Sequence, residues 1–160
     1  MQTTILIPTD FTIESISLLK VALQEYPNEE LKIVFVHGIY LPDSIQELMF
    51  FSRSKTLAQL ENADFTEACA VLQNKFSSQI VSIVTELFTG KNQSAFHNFL
   101  SANKIDVIIS PNNHLLKSTL KTSMDLLPFI HKARTAKIYT DWEARPVIPE
   151  KDKLAEIFAL

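Results

Sequence analysis

The chain has 160 residues, a net charge of −3, 46% hydrophobic and 21% charged residues, which suits one soluble domain with a proper core. No block of like charge calls for nucleic acid or an anionic membrane, no apolar run is long enough to cross a bilayer, and no signal-peptide pattern opens the chain. Cys69 is the single cysteine, so disulfide scaffolding is excluded and a reducing cytoplasm is the expected location.

The first element is Ile5-Leu6-Ile7, an unbroken apolar run ended by Pro8. A strand buried on both faces shows no alternation, so the run suits the centre of a parallel sheet. From Ile13 the pattern turns helical, with Ile16, Leu19, Ala22, Leu23 and Tyr26 on one stripe. Thr12 or Asp10 can cap that helix, and Glu14 suits the positive end of its dipole. Asp10 thus falls at the carboxyl end of a strand, the edge where open α/β sheets hold ligands. The same position also suits a local turn-and-cap residue.

Pro27-Asn28 stops the helix, and Leu31 to Val36 reads as a second strand running into His37-Gly38. Between Ser44 and Ser78 no strand signal appears. A short piece around Leu48-Met49-Phe50-Phe51 precedes one helix of about Thr56 to Phe76. Rings exposed at Phe50 and Phe51 would mark a contact surface. Ile80 to Phe88 gives a third strand, and Asn92 or Ser94 caps a helix with Ala95, Phe96, Phe99 and Leu100 on its apolar face. Ile105 to Ile109 is a fourth strand, a further helix extends to about Ala133, and Ala136 to Tyr139 is a fifth. The expectation is a five-stranded parallel open sheet with helices on both faces and right-handed crossovers. Residues 1–141 form this α/β domain. In the tail, residues 142–160, Leu154, Ile157 and Phe158 share a helical face that must dock on its own domain or on a partner subunit.

Two glycines, Gly38 and Gly90, are few, and neither GxGxxG nor GxxxxGK[ST] occurs. The standard phosphate cradles are therefore absent. The histidines lack partners at metal-ligand spacing, so no metal is expected. A phosphorylated receiver domain would need clustered carboxylates at the first and third strand ends. Here those ends carry Asp10 alone and Thr85-Glu86-Leu87. No nucleophile with an orienting base stands at a strand end, so catalysis is not expected.

The stretch Ile5 to Phe11, Val36-His37, Gly90 and Asp106 to Ile109 together resemble the universal stress protein family, over nearly the whole length to Trp142. The resemblance implies an adenine nucleotide alpha hydrolase-like sheet, often dimerising through the last strand. Many members bind ATP through Gly, two residues, Gly, nine residues, then Gly with Ser or Thr. Those positions here are Ser110, Asn113 and Ser123-Met124. Side chains at such positions obstruct a close backbone approach to phosphate. Asp125 would repel an anion at the following helix, and Pro128 suggests that this helix starts late. Where the family usually has an apolar residue after the second-strand histidine, this chain has Gly38.

The candidate strand-end residues are Pro8, Thr9, Asp10, His37, Gly38, Ser110, Asn113 and Ser123. The expected function is a cytoplasmic, homodimeric regulatory or interaction module in stress response, without a cofactor. Dimerisation is expected through Ala136 to Tyr139 and the tail, where an uncovered sheet edge offers unpaired backbone groups. The alternative is an ATP or AMP binder with a modified loop that uses Asp10, Ser110, Asn113 and Ser123. A protein partner also fits the first reading.

Overall fold

The computed structural model describes residues 1–112, 120–141, 154–155 and 157–158. Helices cover both faces of one sheet. The strands are β1 (Gln2–Pro8), β2 (Glu30–Ile39), β3 (Ile80–Phe88), β4 (Val107–Pro111), β5 (Ser123–Met124) and β6 (Ala136–Thr140). The helices are α1 (Ile13–Glu25), α2 (Ile45–Met49), α3 (Arg53–Leu60), α4 (Ala63–Lys75), α5 (Gln93–Ala102) and α6 (Leu127–His131). The strand order is β3-β2-β1-β4-β6, all parallel, with β5 antiparallel to β2 and off that path. The direction of winding reverses between β1 and β4, which makes their carboxyl ends the switch point of the sheet.

The missing alternation in the central strands has its cause in two separate cores. Ile5, Ile7, Ile33, Phe35, Val107 and Ile109 face one core, shared with α1, α4 and Leu60 of α3. Leu6, Val34, Val36 and Ile108 face the other, shared with α5 and α6. Leu154 and Ile157 bury themselves in the first core, and Phe158 packs beside Phe76 with ring centroids 6.4 Å apart.

Local chemistry sets the helix ends. The Thr12 hydroxyl caps α1 by accepting from the Ser15 amide, and Asn92 caps α5 through the Ala95 amide. The single helix expected from Thr56 to Phe76 is instead two, broken at Glu61-Asn62. Asn62 causes the break: its Oδ1 caps α4 at the Phe65 amide while its Nδ2 donates to the Phe11 carbonyl. One side chain thereby ties the start of α4 to the turn after β1.

Three further expectations need correction. Strand β4 starts at Val107 and not at Ile105, because Asp106 turns its carboxylate back to the Thr4 amide. Among residues 120–133 the helix occupies only Leu127–His131, starting with Pro128 in its first turn. Upstream of it stands β5, an element that the sequence pattern did not reveal, so the last strand of the sheet is the sixth in chain order.

Residue Phe50 is 78% exposed, as are Ile45 and Met49 to a similar degree, whereas Phe51 packs on the core. Among the described residues no helix is long and apolar enough to cross a membrane.

Candidate functional site

The turn after β1 is held by its own side chains. The Thr9 amide continues the ladder by donating to the Val36 carbonyl at 2.9 Å. Its hydroxyl accepts from the Phe11 amide and bonds the Ser15 hydroxyl at 2.7 Å. Asp10, 3% exposed, accepts from both the amide and the hydroxyl of Thr12. Asp10 thereby orients the residue that caps α1. Phe11 takes a left-handed φ of 62°, a conformation that L-residues disfavour. Its ring is held against His37 and Phe65, at centroid distances of 5.3 and 5.2 Å.

Strand β5 lies directly over this turn, and the ladder shows why. Gly38 pairs with Phe88 of β3 and with Met124 of β5. A strand residue has two sides, and β3 holds one, so β5 must stand on the side that β1 occupied as far as Pro8↔Val36. Once β1 ends, β5 takes its place beside β2. The Tyr40 amide donates to the Thr122 carbonyl at 2.7 Å and extends the contact.

His37 joins the two segments. Its Nδ1 lies 2.8 Å from the Thr9 carbonyl, and its Nε2 lies 2.8 Å from the Ser123 hydroxyl. A carbonyl only accepts, so Nδ1 carries the proton in the neutral ring, and Nε2 accepts from Ser123. The Ser123 oxygen in turn accepts from the Leu120 amide at 3.0 Å. Burial lowers the pKa of His37, opposed by the Thr9 carbonyl and by the nearby Asp10 charge.

Gly38 has a packing reason. A Cβ there would sit 2.7 Å from Leu126 Cδ2 and 2.8 Å from the Met124 carbonyl oxygen. Space that an apolar side chain would fill holds β5 and the start of α6.

The structure thus brings Thr9, His37 and Ser123 together in one hydrogen-bonded chain, with Pro8, Asp10 and Gly38 packed around it. Ser110 is fully buried at the end of β4, its hydroxyl 3.4 Å from the Pro111 carbonyl. Asn113 lies outside the described residues. Asp125 Oδ1 accepts from the Leu127 amide at 3.0 Å and so occupies a donor at the start of α6. A cleft of about 550 Å³ at this end of the sheet is walled by Tyr40, Thr89, Lys91, Met124, Asp125 and Phe129. None of the seven candidate residues that the structure describes lines it. Sequence reasoning missed this cleft because β5, which shapes one wall, has no propensity signal of its own.

Among the described residues no group of three His, Cys, Asp or Glu side chains stands close enough to hold a metal. Burial, with Glu61 second, pushes the Cys69 thiol up to about 12, so it stays protonated at neutral pH.

A parallel sheet that reverses direction between its first and fourth strands, with the binding edge at that reversal, defines a doubly wound α/β protein. Its architecture is similar to that of solved universal stress protein structures. One crystal structure of a universal stress protein, in complex with cAMP, superposes with a TM-score of 0.53 at 14% identity, over 88% of this chain and 98% of that one. A member of the family from Burkholderia pseudomallei gives a TM-score of 0.53 at 12% identity, over 86% of this chain and 95% of that one. No protein-family model matches the sequence, and no curated protein matches it.

Proposed function

We propose that the protein is a universal stress protein-like regulatory or interaction module of the cytoplasm. In this reading it acts as a homodimer, without catalysis and without ATP. The observation that carries the reading is the pairing of β5 with Gly38 and Ile39, which seats the chain's own backbone beyond the end of β1. His37 spends both ring nitrogens on the Thr9 carbonyl and the Ser123 hydroxyl, the Thr9 hydroxyl is taken by Ser15, and Asp125 adds negative charge beside the same segment. A nucleotide entering there would have to displace a strand.

Two surfaces support an interaction role. Among the described residues strand β6 pairs with β4 on one side and ends the sheet on the other, with Tyr139 partly exposed. A second copy can extend the sheet there. Exposed Ile45, Met49 and Phe50 form an apolar surface of the kind that marks contacts. Leu154 and Ile157 bury in their own domain, which supports the strand edge over the tail as the contact in this reading.

The second reading, an adenine-nucleotide binder using Asp10, Ser110, Asn113 and Ser123, draws on the cAMP-bound protein of similar fold. Absorbance of the purified protein separates the two: the first reading expects a plain protein spectrum, the second a nucleotide maximum. Sedimentation tests assembly. A dimer is expected, and a monomer at high concentration, unchanged by removing the residues after Trp142, contradicts it.

A further inference from the structure

We propose that the pocket at the opposite, amino-terminal edge of the sheet is an oxyanion site that takes phosphate or a small phosphate monoester. The pocket encloses about 310 Å³ between the end of α5 and the turn into β6. His97 and Ser101 face it from the last turns of α5, Lys104 from the connection to β4, and Arg134 and Thr135 from the approach to β6. Leu100 closes its floor. Among the described residues the wall therefore carries two fixed cations, an imidazole and two hydroxyls, and no carboxylate.

Cations at a helix carboxyl end commonly serve the helix itself, by meeting its last carbonyls. Here three of the last four carbonyls, those of Phe99, Leu100 and Ser101, already have donors. The Phe99 carbonyl accepts from the amide and side chain of Asn103, Leu100 from the Ile105 amide, and Ser101 from the Lys104 amide. The nearby Asp106 carboxylate accepts from the Thr4 amide. Among the described residues, Lys104 Nζ and the Arg134 guanidinium have no ion-pair or hydrogen-bond partner. Two whole charges outweigh the opposing end of the α5 dipole, which amounts to about half a charge.

The imidazole supplies the second observation. His97 Nε2 is a buried atom with no hydrogen-bond partner, and buried polar atoms are nearly always satisfied. The atom itself is closed to solvent, so an anion oxygen meets it only once the His97 ring turns toward the pocket that its residue lines. Lys104 holds a left-handed φ of 55°, where Gly or Asn is the usual choice after a helix, so a long cationic side chain stands at the mouth at a conformational cost. Arg134 provides the planar fork suited to phosphate. The volume lies at the small end of ligand pockets and is large enough for a phosphate with a short substituent.

This site is independent of the strand-end reading. Its test is a titration of inorganic phosphate into the full chain at low ionic strength, followed through the His97 ring resonances. A second arm uses phosphoserine. Saturable binding in the millimolar range or tighter is expected, with no response to chloride at matched ionic strength. Arg134→Gln and Lys104→Gln should each weaken it about tenfold, whereas Asp10→Ala should leave it unchanged. Tighter binding of phosphoserine would assign the site to a monoester, equal binding to the shared phosphate group. No saturable shift below about 10 mM, or equal binding by Arg134→Gln, would overturn the proposal. Both cationic side chains are exposed, so the variants should fold, and a thermal melt verifies this.

Discussion

The two ends of this sheet differ in how their polar groups are spent. At the carboxyl end, His37 bridges the Thr9 carbonyl and the Ser123 hydroxyl, Ser15 takes the Thr9 hydroxyl, and a two-residue strand lies on top of them. At the amino end, His97 Nε2 is buried without a partner beside Lys104 and Arg134. At the edge where doubly wound folds hold ligands, this chain's own backbone occupies the place beside β2 after β1 ends and the free volume lies beyond β5, while at the amino edge cationic donors stand unspent. The contrast teaches that a candidate site is better sought where polar chemistry is unsatisfied, with fold topology supplying only a first expectation.

Forcing β5 off the sheet attacks the contrast most strongly. Gly38→Val places carbon against Leu126 and the Met124 carbonyl, and overpacking of this kind costs about 1–3 kcal/mol. Chemical denaturation should show that loss. An unchanged midpoint would mean that the strand is not seated as described. A smaller effect is expected from Ser123→Ala, which leaves His37 Nε2 and the Leu120 amide without their shared partner. Denaturation should register about 1–2 kcal/mol.

The mildest effect is a pH slope. Burial holds the pKa of His37 below its ordinary value, so the unfolded chain binds this proton at a higher pH than the folded one. The stabilisation is fully present above about pH 6.5 and is lost as pH falls through the lowered folded value. Melting temperature should decline on acidification from pH 7. His37→Gln should flatten that decline, and an identical slope in the variant would remove His37 as its source.

Much of this carboxyl edge was legible from residue pattern. Ile5-Leu6-Ile7 is apolar without a gap because Ile5 and Ile7 face one core and Leu6 the other. Thr12 and Asn92 cap where their chemistry suggests, and Pro128 sits in a first turn. Ser123-Met124 left no such trace. Two residues are too few for a periodicity, and their strand geometry is imposed by the vacancy beside β2 after β1 ends. The break at Asn62 was hidden for a similar reason, since its second hydrogen bond goes to Phe11, 51 positions away in the chain. The amino-edge pocket joins α5 to the approach to β6, a proximity that exists only once both elements flank β4.

Calorimetric titration of the full chain with ATP and AMP tests the closed carboxyl edge most directly. Because β5 would have to leave β2 before an adenosine phosphate could enter, no saturable heat is expected up to about 1 mM. Micromolar binding that Asp10→Ala abolishes would contradict the account.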